Sequence, residues 1–123
     1  MKKAVVVQPD GKWEIVEFEN SNALKVLQKA VDGLIQPIDI NPVGITMWVN
    51  EEGLFRNDFT ENFMASAIFE ESYGENATPI LGPAIYTGGT DSEGYTDGLS
   101  EKHLELVVEM AKFAETAMSR LNS

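Results

Sequence analysis

The sequence predicts an α+β domain in which a mostly antiparallel sheet is covered by three helices, in the element order ββαββαβα. Two observations carry that expectation. Short β-branched and aromatic runs come in pairs around turn residues, as hairpins require. Between and after the pairs, apolar residues recur at helical spacing in three stretches. With 123 residues and no break of composition, residues 1–123 are expected to form one domain.

Taken in order, Ala4, Val5, Val6 and Val7 form the first strand, and Pro9, Asp10 and Gly11 supply a tight turn. Trp13, Ile15, Val16 and Phe18, interleaved with Glu14, Glu17 and Glu19, return as a second strand with one wet face. Asn20, Ser21 and Asn22 are N-cap candidates for a helix carrying Leu24, Leu27, Val31 and Leu34 inward, with Gly33 as its stop. Ile35, Ile38 and Ile40 alternate with polar residues. Pro37, which cannot donate to a ladder, suits an edge strand or a strand start there. A turn at residues 41–44 leads into Ile45, Thr46, Met47, Trp48 and Val49. This is the clearest buried strand of the chain, and it ends in the acidic turn Asn50, Glu51, Glu52 and Gly53.

Asp58 followed by Glu61 has the spacing of a capping box, and Phe59, Phe63, Met64, Ala67 and Ile68 continue it as an apolar stripe. Glu70, Glu71 and Glu75 oppose the helix dipole at the far end, so the helix should run out near residues 72–74. Residues 79–86 read as a Pro-interrupted strand with a bulge or close approach at Gly82 and Pro83. Residues 87–98 form a polar, Gly-rich loop. Ser100 then caps a long last helix with Leu104, Val107, Val108, Ala111, Ala114, Met118 and Leu121 inward. The expected core comprises Trp13, Leu24, Leu27, Trp48, Phe63, Ile85, Val107 and Met118, beneath three helices that share one layer.

Charge narrows the function classes. The formal net charge is −11, and residues 30–123 hold four basic residues against sixteen carboxylates. Direct binding to nucleic acid or to an anionic membrane needs basic patches and is disfavoured. There is no cysteine, which removes disulfides, thiolate metal sites and a thiol nucleophile. No apolar run approaches the ~20 residues of a membrane span. Lys2 and Lys3 are followed by a turn rather than an apolar h-region. The expectation is a soluble, unprocessed, cytoplasmic protein.

Several stretches together resemble a known family. They are an N-terminal strand leading to a short helix with Asp32 and Gly33, then Val49, Asn50, Glu51, Glu52, Gly53 and Leu54. Asn62, Ala65 and Ser66 follow, and then the run from Ile80 through Leu81, Gly82, Pro83, Ala84 and Ile85 to Tyr86. Asp91, Ser92, Glu93 and Gly94 come next, and last Thr96, Asp97, Gly98, Leu99, Ser100 and Glu101. In this order they resemble the phage and actinobacterial domain of unknown function numbered three-eight-four-six. Residues 55–61 depart from it, since the family has a Leu-Pro step before the asparagine. The resemblance implies a small phage-type accessory protein and supplies no catalytic residues.

The chemical constellations are thin. His103 is the only histidine, and its neighbour Ser100 is accounted for as an N-cap. Aligning Asp91 with the first position of a calcium loop puts Thr96 where Gly belongs and Lys102 where the bidentate Glu belongs, so an EF-hand is rejected. A weaker cation site on the same loop is the residual reading. Glu51 and Glu52 with Asp58 or Glu61 lack a group that would tune an acid–base pair. No catalytic residue, metal ligand or cofactor is assigned.

Binding remains. The Gly-rich segment offers Tyr86, Thr87, Gly88, Gly89 and Tyr95 as a cradle for a nucleotide-like ligand, with Asn50 and Arg56 as a second contact region. Glu101, Glu105 and Glu109 recur at i, i+4, i+8, about 6 Å apart along a helix axis, and form an acidic ridge. The expected function is that of an acidic, non-enzymatic accessory protein. It would interfere with a host factor or act in counter-defence, including by sequestering a nucleotide signal. The alternative is a DNA mimic that blocks a host nucleic-acid-binding protein. The partner is thus a host protein or a small nucleotide, with self-association as a third option.

Overall fold

The computed structural model describes residues 1–40 and 44–121. The turn expected at residues 41–44 lies, except for Gly44, outside the described residues. Strand β1 (Lys2–Val7) and β2 (Trp13–Phe18) are followed by helix α1 (Ala23–Val31). Then come β3 (Ile35–Ile40), β4 (Ile45–Asn50), a 3-10 turn (Gly53–Phe55), α2 (Phe63–Tyr73), β5 (Ala84–Gly88) and α3 (Glu101–Leu121). The order ββαββαβα is the expected one.

The five strands form one antiparallel sheet in the order β2-β1-β5-β4-β3. The last strand therefore inserts between two hairpins and joins them. Val5 stands opposite Ile15 on one side and Tyr86 on the other, and Tyr86 in turn opposes Met47, which opposes Ile38. Val5, Tyr86, Met47 and Ile38 consequently make one row across the sheet, and all four are buried in the larger core cluster.

Alternation sends the neighbouring row to the opposite face. Ala4, Val6 and Ile85 pack there with Phe18, Leu27 and Val31 in a second cluster. Helix α1 covers that face, whereas Met64 and Ala65 of α2 and Val107 and Ala111 of α3 cover the first. The single helical layer expected from the sequence is thus corrected to one helix on one face and two on the other. The cause is in the strands: β1 and β5 are buried on both sides over nearly their whole length, as continuous apolar runs are in doubly covered sheets. Each fully buried Val, Leu or Ile here adds about 1.5–3 kcal/mol.

Several boundaries differ from expectation for local reasons. Asp32, not Gly33, takes the left-handed C-cap of α1 (φ 58°), since the side-chain amide of Asn50 donates to its carbonyl at 3.2 Å and to that of Val31 at 3.0 Å. Helix α2 starts at Asn62 rather than at the Asp58 capping box, because the Asn62 side chain accepts from the Ala65 N–H at 3.1 Å. Its other end, with Gly74 as C-cap, is where the acidic run placed it. The strand read over residues 79–86 is confined to Ala84–Gly88, with Leu81 making only an isolated bridge to Glu61.

Four residues expected to face inward are exposed: Leu24, Leu34, Phe63 and Leu121. Leu24 lies on the flank of a helix whose contact face is centred on Leu27 and Val31. Trp13, Trp48 and Met118 are half-buried, while Leu27, Ile85 and Val107 are in the core. Each indole tip finds an acceptor, Thr87 Oγ1 at 2.8 Å for Trp48 and Glu115 Oε1 at 3.3 Å for Trp13, as amphipathic Trp requires.

Candidate functional site

Helix α3 is apolar on two adjacent faces. One, through Val107 and Ala111, meets the sheet. The other carries Leu106, Met110, Phe113, Ala117 and Leu121, at offsets of 4, 7, 11 and 15 residues, and turns toward α2, with Met110 and Ala117 half-buried and the other three exposed. Phe63 and Ala67 of α2 are likewise exposed.

Between the two helices lies a groove of about 490 Å³, floored by Met64, Ile68, Met110, Ala114 and Met118. Its end is closed by Val7, Gln8, Pro9 and Gly11 of the β1–β2 turn. Gly11 (φ 91°) is required there. A Cβ at this position would stand 3.0 Å from the Cα of Glu115 and 3.3 Å from the Met118 side chain, so the turn can approach α3 only without one.

The exposure is large for apolar residues: 53% for Phe63, 44% for Leu106, 78% for Phe113 and 72% for Leu121. Scattered exposed hydrophobics need no explanation, but a contiguous apolar patch rimmed by polar residues marks an interaction surface. Among the described residues Glu109 is the one charged side chain lining the groove, and it pairs with Lys112 at 3.6 Å on the surface. Apolar contact with a partner is what this arrangement offers.

The residues singled out as a nucleotide cradle are not gathered into one site. Tyr86 and Thr87 are fully buried in β5. Gly88 is buried as well, because the Gly98 carbonyl packs where a side chain would start. Only Gly89 and Tyr95 reach the surface to any degree. Within the cradle the Gly88 amide is already donating inside the loop, and the Tyr95 amide donates to Asp91 Oδ1 at 2.9 Å. Gly88 donates to Asp97 at 3.1 Å, Asp97 to Gly89 at 2.8 Å and Asp91 to Tyr95 at 2.8 Å.

Asn50 and Arg56 sit at the opposite end of β4 from Gly88, which pairs with Ile45. Five residue steps along β4 separate the two regions, about 17 Å at the usual rise. Both side chains are occupied in holding the fold. Asn50 secures the end of α1, and its Oδ1 accepts from the Glu52 N–H at 2.8 Å. Arg56 forks onto Asp58 at 2.7 Å, reaches the Asp32 carboxylate at 2.9 Å and lies 4.1 Å over the Phe59 ring. Its hydrogen bonds to Asp58, then Asp32, raise its pKa further, and the guanidinium holds the Asp58 carboxyl below the usual range.

The calcium-like loop is folded on its own donors. Asp91 Oδ1 accepts from the Glu93 and Tyr95 N–H groups at 2.9 Å, and Oδ2 from Lys2 Nζ at 3.2 Å. The Tyr95 amide foremost lowers the Asp91 pKa. Among the described residues no three His, Asp or Glu side chains converge as a metal site would need. Ser100 Oγ accepts from the His103 N–H at 3.1 Å, which is the N-cap bond of α3. Glu101, Glu105 and Glu109 are all exposed along α3, with Glu109 reaching the groove.

Sequence reasoning passed over the groove, although the second stripe of α3 is visible in the spacing. A helix read for one inward face hides another beside it. No helix among the described residues is long and apolar enough to cross a membrane. The family model of a domain of unknown function (DUF3846) matches residues 1–112. No curated protein and no solved structure matches the chain.

Proposed function

The chain belongs to the DUF3846 family, and from that membership we propose that it is a small, acidic, phage-type accessory protein acting in the host cytoplasm by binding, without making or breaking covalent bonds. Its target is a host protein, and its contact surface is the α2–α3 groove. The observation that carries this reading is the exposure of Phe63, Leu106, Phe113 and Leu121 along one continuous apolar channel. Leaving four large apolar side chains in water forgoes burial worth about 1.5–3 kcal/mol each, a cost a partner would remove. Interference with a host factor, including counter-defence, follows from the phage-type resemblance.

A second reading, the DNA mimic, is favoured by one observation: Glu101, Glu105 and Glu109 are exposed at successive turns of α3. The two surfaces share Glu109 but are separable because only the groove needs Phe113. Host proteins captured by the wild-type chain are compared with those captured by Phe113→Asp and by a triple Glu101→Gln, Glu105→Gln, Glu109→Gln variant. Groove binding requires a partner lost with Phe113→Asp, whether or not the triple variant retains it. A DNA-binding protein retained by Phe113→Asp and lost with the triple variant supports the mimic. A partner retained by both variants contradicts both readings.

A further inference from the structure

The groove has a length, a lining and a charge that together select an occupant. Leu106 and Leu121 mark its two ends on α3, and fifteen residues of helix span about 22 Å. An occupant of about four helical turns matches that run. The lining includes Met64, Met110 and Met118, three of the chain's five methionines. Unbranched thioethers repack around irregular apolar ridges, which suits helix-in-groove recognition.

One carboxylate lines the groove, and two more stand just outside its lining. On α3, Glu109 lines the groove and Glu105 lies one turn before it, exposed. On α2, Glu71 follows the lining residue Ala67 by one turn and is exposed as well, and α2 (FMASAIFEESY) has no basic residue. The Lys112 partner of Glu109 is a surface ion pair at 3.6 Å, half-exposed on both sides. Such pairs contribute little and exchange readily.

The geometry points to a cationic amphipathic helix as the occupant: its apolar ridge seated between α2 and α3, its Lys or Arg flanks reaching Glu109 in the lining and the exposed Glu71 and Glu105 beyond it. This inference rests on the groove being the contact surface. Charge also argues against a second copy, since two chains of net charge −11 repel. The same balance disfavours an anionic membrane surface.

The test titrates the full chain with three labelled synthetic peptides of about four turns and reads fluorescence anisotropy. One is a Leu/Lys amphipathic helix, one keeps its apolar pattern with Glu in place of Lys, and one scrambles the Leu/Lys sequence. The Leu/Lys helix should bind, more weakly as salt rises, and the other two at least about tenfold more weakly, a difference of about 1.4 kcal/mol. Phe113→Asp and, independently, Ala67→Arg on the opposite wall should abolish binding, with circular dichroism melting confirming that each folds. The Glu71→Gln, Glu105→Gln, Glu109→Gln variant should lose the preference for Lys over Glu flanks.

Equal binding of the Leu/Glu helix overturns the charge assignment but leaves the groove as a contact surface. Equal binding of the scrambled peptide, or undiminished binding to both groove variants, overturns the groove as its seat. A wild-type dimer in sedimentation that Phe113→Asp converts to monomer gives the groove to a second copy and overturns the proposal.

Discussion

The side-chain amide of Asn62 donates to the carbonyl oxygen of Val7 at 3.0 Å, tying the start of α2 to the end of the sheet's β1 strand. The same nitrogen donates to the Gly82 carbonyl at 3.0 Å, and its Oδ1 accepts from the Ala65 N–H. One buried side chain thus caps a helix, closes a strand end and joins the segment leading into β5. Since Asn62 and Val7 both line the groove, the bond also sets where α2 stands relative to α3.

Asn62→Ala should therefore be costly. It removes an N-cap, worth about 1 kcal/mol, and strips two buried carbonyls of a donor at about 1–3 kcal/mol each unless water reaches them. Urea unfolding is expected to show a loss of about 3 kcal/mol at unchanged slope. A loss below about 1 kcal/mol contradicts the role given to this side chain.

Asn50→Ala should loosen α1 specifically. The side chain holds the carbonyls of Val31 and Asp32, and the left-handed Asp32 depends on that support. A loss of about 2 kcal/mol is expected, with amide exchange accelerated in Ala23–Val31 more than in β5. Uniform acceleration, or none, contradicts it.

Tyr86→Phe runs the other way. The Tyr86 hydroxyl is fully buried, has no hydrogen-bond partner among the described residues, and is pushed well above its ordinary pKa by burial. Removing an unsatisfied buried hydroxyl should leave stability unchanged or raise it by about 1 kcal/mol. Destabilisation by more than about 1 kcal/mol would show that the hydroxyl has a partner, such as an ordered water.

Acid should weaken the fold through two carboxylates. Asp58, held down chiefly by Arg56, and Asp91, held down chiefly by the Tyr95 amide, ionise more readily folded than unfolded. A depressed folded pKa stabilises above the unfolded value of about 3.9, and that stabilisation is lost as pH falls through the folded values. Easing of the net negative charge acts in the opposite direction, so the comparison must be internal. The stability gap between wild type and an Asp58→Asn, Asp91→Asn variant should be full at pH 7 and shrink below about pH 4. A gap independent of pH contradicts the assignment.

Much of the fold is legible in the residues themselves. The element order ββαββαβα follows from the paired strand runs and the helical spacing, whereas the two-faced burial of the Ala4, Val5, Val6, Val7 run is missed by the expected single helical layer. Ser100 announces its helix by capping chemistry alone. What the pattern concealed was set by tertiary partners. Asp32 rather than Gly33 turns left-handed because Asn50, eighteen residues on, donates to it. Asn62 outcompetes Asp58 as a cap because it alone reaches Val7. The candidate site was concealed differently: Leu106, Met110, Phe113, Ala117 and Leu121 keep helical spacing as clearly as the buried stripe beside them. Only the position of α2 reveals that Leu106, Phe113 and Leu121 among them stay exposed.

Calorimetric titration of wild type and Phe113→Asp with the Leu/Lys amphipathic peptide tests the central claim most directly. Phe113 is 78% exposed, so the substitution should change stability by no more than about 0.5 kcal/mol. The expected result is saturable binding to the wild type and no measurable heat with the variant, at matched melting temperature. Equal affinity of the two proteins would contradict it.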